Sequence, residues 1–196
     1  MVQVQPPSEE NRDIARAVRD VFAGQQWKVD SYLDKDEKSD IFVFDSTETP
    51  EEGLISFCTI GLSDYPDDGF DVTPPLGAEI IAVSNLPEFA AVVSTAAFCV
   101  INSGYKVRPG GAFPGVVKMH YPDTTVPDLF FVEPYLWDEQ AFSSRTFGDK
   151  TVAWLQAVPI SAAETQYILD HGADALMEKF EEYDPDFVDL ERDSVI

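Results

Sequence analysis

The stretch that decides the fold is residues 54–66, which read Leu-Ile-Ser-Phe-Cys-Thr-Ile-Gly-Leu-Ser-Asp-Tyr-Pro. Apolar residues among serine, cysteine and threonine predict a strand over 54–62, and Gly61 lets the backbone bend near its end. Residues 63–68, beyond the bend, carry mostly short polar or acidic side chains and include one tyrosine. Such groups at the end of a strand can hydrogen-bond and stack, so this turn is a candidate binding loop. An ordinary solvated turn has the same composition, because Pro, Asp and Gly also form turns for local reasons.

The sequence on either side of this stretch predicts both helices and strands. Ser8 can cap a helix over residues 9–25. Residues 27–38 are polar and no element is predicted there, and a short strand follows at 40–45. Ser161 and Glu164 form the pattern of a capping box at the start of a later helix. The other predicted elements are strands over 78–83, 128–133 and 151–158, and helices over 87–102, 161–169 and 173–183. The acidic C-terminal segment 178–196 contains apolar residues, so we expect it to dock on the body of the protein.

The charge of the chain limits what it can bind. Among 196 residues there are 36 acids and 13 bases, which give a formal net charge of −23. A molecule of this charge repels nucleic acids and anionic membranes, so neither is expected as a partner. A basic protein partner would explain the acidity, and solubility in a saline cytoplasm would explain it equally well.

Size and cysteine content indicate a cytoplasmic protein of one domain. The 44% hydrophobic residues are enough for a core that needs no metal or disulfide. Cys58 and Cys99 each lie in an apolar run, where a thiol behaves as a small hydrophobe in a reduced compartment. Residues 1–7 lack the features of a signal peptide, and no later segment has the length of a membrane span.

No motif in the sequence indicates catalysis. The two histidines, His120 and His171, lie in unrelated settings, and both cysteines are expected to be buried, where a thiol is less reactive. In so acidic a chain a hydrolase that uses two carboxylates stays a possible alternative, but the sequence does not select the pair.

No motif indicates a cofactor or a metal either. The glycine-rich residues 108–111 lack the spacing of a Walker loop or a dinucleotide-binding fingerprint, so no cofactor is expected. Asp64, Asp67 and Asp68 could attract a hard cation, but the ligand alternation of a dedicated calcium loop is absent. We therefore expect no metal site.

Several stretches together resemble the bacterial suppressor of fused-like proteins. Leu54–Pro66 carries the most specific likeness, in its Ile-Ser-Phe and Gly-Leu-Ser-Asp elements. The other similar stretches are Arg108–Pro114, Glu133–Asp138, Val152–Ser161 and Asp189–Val195. The resemblance implies a single α+β domain in which a mixed, mainly antiparallel β-sheet is flanked by helices. It also implies a protein that binds other proteins and is not an enzyme.

The resemblance further implies a type of partner and a binding surface. Bacterial members of the family resemble immunity proteins of toxin systems, so a basic toxin domain, such as a nuclease, is the expected partner. The predicted partner-binding residues of the turn are Ser63, Asp64, Tyr65, Asp67 and Asp68, with a second patch at Trp137 and Asp138. The main alternative is an intracellular scaffold that binds an extended peptide by adding it to a sheet edge.

Overall fold

The computed structural model describes residues 6–67, 73–138 and 140–196. The chain divides into two compact units. Unit 1 comprises Met1–Val107 and Glu133–Gln156, and unit 2 comprises Arg108–Val132 and Ala157–Ile196. Each unit has a hydrophobic cluster of its own.

Eight strands in the described residues form one open sheet, in which most neighbouring strands are antiparallel and β4 and β8 are parallel. The order across the sheet is β1-β2-β3-β4-β8-β6-β5, and β7 pairs with β8 off this path. The predicted α+β class with a mixed, mainly antiparallel sheet is therefore confirmed. The strands are β1 Trp27–Leu33, β2 Asp40–Thr47, β3 Ile55–Ile60, β4 Leu76–Ser84, β5 Ala112–Phe113, β6 Asp128–Val132, β7 Arg145–Phe147 and β8 Lys150–Ile160.

The helix ends carry the caps that the sequence indicated. Ser8 accepts a hydrogen bond from the amide of Asn11 at the start of the first helix. The second helix ends at Gly104 in the left-handed conformation, and Ser161 and Glu164 form both hydrogen bonds of a capping box at the start of the third. The helices are α1 Glu9–Phe22, α2 Phe89–Ser103, α3 Ala162–His171 and α4 Ala173–Tyr183.

Some predicted boundaries were wrong, and one strand was not predicted. The first helix was predicted to continue to residue 25 but ends at Phe22, because Ala23 adopts a left-handed φ of 49°. Residues 27–33, where no element was predicted, form strand β1, since most side chains of this terminal strand are exposed and polar residues therefore fit there. The strand predicted over 54–62 stops at Ile60 and is followed by a turn of 3-10 helix.

The core of unit 1 lies between α1 and the sheet. Ile14, Val18 and Phe22 recur at every fourth position of α1, so they share one face of that helix. This face packs on side chains of β2, β3 and β8 and on the segment before β7, and burying it drives the helix onto the sheet. The other buried members of the cluster are Phe44, Cys58, Ile60, Ile81, Phe142, Val152 and Trp154.

Unit 2 has a smaller cluster and a buried ion pair. Its apolar residues come mainly from β6, β8 and α4, and they are Phe130, Val132, Val158, Ile160, Leu176 and Phe180. The guanidinium of Arg192 donates to both carboxylate oxygens of Glu164 at 2.8 Å, and both side chains are buried. Arg192 also lies over the rings of Phe180 and Phe187.

The C-terminal residues are attached to unit 2 by hydrogen bonds as well. The amide of Thr125 donates to the carbonyl of Leu190 at 3.1 Å, and its hydroxyl donates to the carbonyl of Arg192 at 2.7 Å. Leu190 is buried. These contacts hold residues 190–192 against unit 2 although the segment around them is acidic.

Candidate functional site

The candidate binding turn follows directly after β3. Gly61 opens it with a φ of 102°, a left-handed conformation that a side chain would resist. The amide of Asp64 donates to the carbonyl of Gly61 at 3.2 Å, and the amide of Tyr65 donates to the carbonyl of Leu62 at 3.0 Å. The turn at Leu62–Asp64 is therefore an ordered 3-10 structure.

Strand β4 approaches this turn closely at Gly77. A Cβ atom at Gly77 would lie 2.4 Å from the carbonyl oxygen of Ser63 and 2.7 Å from its Cα. Both are backbone atoms, so they cannot move aside as the end of a flexible side chain would. Only glycine at position 77 lets β4 come this close to the turn.

A buried carboxylate on β4 holds the turn in place. Glu79 is fully buried and accepts five hydrogen bonds from the described residues. Its Oε1 accepts from the amide of Gly61 at 3.0 Å and from the amide and hydroxyl of Ser63 at 3.1 and 2.8 Å. Its Oε2 accepts from the hydroxyl of Thr59 at 2.6 Å and the amide of Leu62 at 3.2 Å. One side chain thus fixes the end of β3 and the start of the turn.

Burial opposes the ionised form of Glu79, and the hydrogen-bond donors around it favour that form. Burial raises the pKa of Glu79 above its ordinary value, while the hydrogen bonds from Thr59, Ser63 and Gly61 act in the opposite direction. Backbone amides can only donate, and an ionised carboxylate offers them two acceptor oxygens and no competing proton. Oriented N–H and O–H dipoles therefore take the place that a cation has in an ion pair.

Asp64 is held by a second polar group. One of its oxygens forms an ion pair with the ammonium group of Lys150, and the other accepts from the side-chain amide of Asn11 at 2.8 Å. Lys150 in turn donates to the side-chain oxygen of Asn11 at 2.7 Å. Lys150 and Asn11 are buried, whereas about half of the Asp64 side chain, 48%, is exposed. The carboxylate of Asp64 therefore has a fixed orientation at the surface.

The other predicted residues of the turn differ in their exposure. Ser63 is only 2% exposed and points inward, so it has no surface to offer a partner. Tyr65 is 47% exposed. The carboxylate of Asp67 lies 3.5 Å from the ammonium group of Lys106, and Asp68 lies outside the described residues. Asp64 and Tyr65 are therefore the exposed part of the turn, with Asp67 close to them in the chain.

The second predicted patch belongs largely to the core of unit 1. The ring of Trp137 stacks on Phe22 at a centroid distance of 5.3 Å and meets Phe142 edge-on at 5.2 Å. Asp138 is exposed, and its carbonyl accepts from the amide of Ala141 at 2.8 Å. Asp138 is thus the accessible member of this patch.

The two patches contact α1 at opposite ends. Asn11, in the first turn of α1, bonds Asp64, while Phe22 is the last residue of α1 and stacks on Trp137. At 1.5 Å per residue these two positions are about 16 Å apart along the helix axis. A partner that touches both patches would therefore have to extend along α1.

Sequence reasoning missed Glu79, Lys150 and Asn11. One signal for Glu79 was present, because it is the only charged residue in the apolar run 78–83, where an unpaired carboxylate would be costly. Asp64 is 86 residues from Lys150 and 53 from Asn11, so no local pattern could have indicated those contacts.

Burial shifts the pKa values of three of the residues that were considered for catalysis. Burial raises the pKa of the Cys58 thiol well above its ordinary value and also raises the pKa of Cys99, and a protonated thiol is a poor nucleophile. Burial lowers the pKa of His120, and the ring of His171 packs on Tyr167 at 4.4 Å. Within the residues that the structure describes, no three His, Cys, Asp or Glu side chains are grouped to hold a metal ion.

Comparison with known proteins identifies the family. The family model of the suppressor of fused protein (SUFU) matches residues 35–193. The chain belongs to the suppressor of fused family. The matched part of this SUFU-family chain includes the turn and Glu79, while α1 and β1 precede it.

One curated relative is similar over nearly its whole length. The SUFU-family chain is 37% identical over 191 residues to the immunity protein YqcF of Bacillus subtilis (strain 168). The similarity covers 96% of this chain and 98% of the relative.

Solved structures show the same fold at low sequence identity. A SUFU homologue from Neisseria gonorrhoeae FA 1090 superposes with a TM-score of 0.75 and 17% identity, over 96% of this chain and 97% of the other. A chain of a Sufu-Fu complex superposes with a TM-score of 0.70 and 13% identity, and the match covers 97% of this chain and 93% of the other. Drosophila Suppressor of Fused superposes with a TM-score of 0.68 and 12% identity, and the match covers 96% of this chain and 52% of the other. Among the described residues, none of the helices combines the length and apolar character needed to cross a bilayer.

Proposed function

We propose that this protein is a cytoplasmic immunity protein, which binds a toxin domain and neutralises it without catalysis. The observation that carries the proposal is the 37% identity to an immunity protein over 96% of the chain. The cysteines support the non-catalytic role, because burial raises the pKa of both thiols.

The proposed contact surface is the acidic turn, in which Asp64 and Tyr65 are exposed and are expected to contribute together with Asp68. The Asp67 side chain is only 13% exposed beside Lys106, so it is proposed to contribute mainly charge. An exposed tyrosine provides a large contact area and loses little conformational entropy when it is bound. Glu79 fixes the turn from inside, so little ordering cost remains when a partner binds. Ser63 is left out of this surface because it is buried. Asp138, beside Trp137, is proposed as a second and smaller contact.

The net charge of −23 favours a basic toxin, such as a nuclease that grips phosphates. Opposite charges steer the two molecules together, and this steering weakens as salt screens it. We therefore expect the association rate to fall steeply with ionic strength.

The direct experiment is to search the neighbouring reading frames for a toxin domain and to co-express that domain with this protein. We expect the toxin domain alone to stop bacterial growth and this protein to restore it. Growth arrest that this protein does not relieve, or the absence of any toxin reading frame there, would refute the immunity role.

A charge-matched pair of variants tests the surface. Asp64→Asn, Asp67→Asn and Asp68→Asn together are expected to slow association with the toxin domain and to flatten its salt dependence. The control replaces three exposed acids away from α1 and the turn, Asp36, Asp170 and Asp174, by Asn, with the same change in net charge. If both triple variants bind equally well, the turn is not the contact surface.

A further inference from the structure

The terminal strand β1 has an open edge. In the described part of the chain β1 pairs with β2 and stands at the end of the strand order. The carbonyl of Gln26 accepts from Thr47, and the amide of Asp34 donates to Ser39, so the even-numbered positions at both ends of β1 bond across to β2. Backbone groups alternate along an antiparallel strand. The amides and carbonyls of the odd-numbered residues 27–33 therefore point away from β2.

The same odd-numbered residues form an exposed apolar stripe. Trp27, Val29 and Leu33 are 54%, 38% and 41% exposed, and the ring of Trp27 stacks on Phe44 with centroids 5.7 Å apart. Because side chains alternate between the two faces of a strand, these residues share the face on which α1 packs. Free backbone groups and apolar side chains thus occur together along one edge, which is the arrangement that accepts another strand.

The sequence of β1 is complementary to itself. We propose that β1 pairs antiparallel with β1 of a second copy of this chain, centred on Val29, so that the two sheets continue into one. In this register Val29 lies opposite Val29 and Trp27 opposite Ser31, and both pairs use outward-pointing backbone groups. Lys28 of each copy then lies opposite Asp30 of the other, in the closely spaced type of pair.

The neighbouring register is excluded by charge. Centring the pair on Asp30 would place two carboxylates directly opposite each other, which destabilises an antiparallel pair. Within one copy Lys28 already lies 2.6 Å from Asp30 and 3.4 Å from Asp45. In the dimer each ammonium group would therefore lie among carboxylates of both copies. The repulsion between two chains of charge −23 is largely screened beyond about 8 Å at 0.15 M salt.

Charge reversal at the two positions gives a specific test by sedimentation velocity at about 0.15 M salt or above. The wild type is expected to sediment as a concentration-dependent dimer. Each single variant, Lys28→Asp or Asp30→Lys, places like charges opposite each other in both 28–30 pairs of the dimer. Each should therefore weaken the dimer about tenfold or more. The double variant restores both opposite-charge pairs and should dimerise again. Mixing the two single variants should also give a heterodimer, because every 28–30 pair then joins opposite charges.

The controls separate pairing from folding and from net charge. Lys35→Asp and Asp36→Lys change the net charge by the same amounts in the exposed turn after β1 and should leave the dimer intact. Val29→Pro removes one outward amide while the even-numbered residues keep their bonds to β2, and it should give a folded monomer. A wild type that is monomeric at every concentration would overturn the proposal, and so would a dimer that both single reversals and Val29→Pro leave unchanged.

Discussion

The molecule contains two buried carboxylates that are stabilised in different ways. Glu79 in unit 1 and Glu164 in unit 2 are both fully buried. Glu164 accepts two hydrogen bonds from the guanidinium of Arg192 and further ones from the amides of Val195 and Ser161. Glu79 accepts only from neutral groups among the described residues. One carboxylate is thus paired with a cation and the other with amides and hydroxyls.

The difference shows in the two pKa values. Burial would raise the pKa of Glu164, but the hydrogen bonds from Arg192, Val195 and Ser161 outweigh it and hold that pKa below its ordinary value. For Glu79 burial dominates, and the pKa is raised. A full positive charge therefore compensates for lost hydration better than five neutral donors do here. Glu164 anchors the C-terminal segment, whereas Glu79 shapes the proposed binding turn.

Removing the cation should have the largest effect on stability. Arg192→Met leaves Glu164 buried without its positive partner, so we expect the free energy of unfolding to fall by about 3–5 kcal/mol. Urea denaturation measures this loss. The control Arg16→Met removes an exposed ion pair with Asp13 and should change stability by less than about 1 kcal/mol.

A double variant sharpens this result. Arg192→Met with Glu164→Gln removes both charges, so it should be less destabilised than the sum of the single changes. Additive losses would mean that the two side chains stabilise the fold independently.

Replacing Glu79 should cost less overall but should act on the turn. Glu79→Gln keeps the size of the side chain but places an NH₂ group against donors, so buried N–H groups lose their acceptor at a cost of about 1–3 kcal/mol. We expect the amide signals of Gly61, Leu62 and Ser63 in NMR spectra to shift and their hydrogen exchange to accelerate. Glu52→Gln, at an exposed position, is the matched control and should leave those signals unchanged.

The contributions of the two carboxylates to the free energy of unfolding should change with pH in opposite directions. These changes should be smaller than the effects of the substitutions above. The pKa of Glu164 is lowered by folding, so its contribution to stability is present at neutral pH and is lost as the pH falls through the folded pKa. The pKa of Glu79 is raised by folding, so its contribution is largest at low pH and decreases as the pH rises through the raised value. On acidification, the loss caused by Glu164→Gln should therefore shrink and the loss caused by Glu79→Gln should grow. Parallel curves for the two variants would contradict the comparison.

Local patterns predicted the parts of the fold that local contacts determine. The capping box of Ser161 and Glu164 and the stop at Gly104 each depend on residues a few positions apart, and both were predicted. Strand β1 was missed because polar side chains such as Lys28 and Asp30 made the segment look like a loop, although Trp27 and Val29 alternate with them.

The interior of the candidate site could not be predicted in the same way. The sequence indicated the acidic turn, but not that Glu79 would accept hydrogen bonds from residues 16 to 20 positions earlier. It also gave no sign that Ser63 would be turned inward, because a serine in a polar turn suits either orientation. Such contacts depend on how β3 and β4 are brought together, and a single sequence does not report that.

The central claim is that the turn held by Glu79 is the surface that binds a toxin. The most direct measurement is the calorimetric affinity of Tyr65→Ala for the toxin domain whose growth arrest this protein relieves, compared with that of Tyr183→Ala. Both tyrosines are about half exposed, so neither change should affect folding strongly. We predict that Tyr65→Ala weakens binding about tenfold or more while Tyr183→Ala has little effect. Equal affinities for Tyr65→Ala and the wild type would contradict the claim.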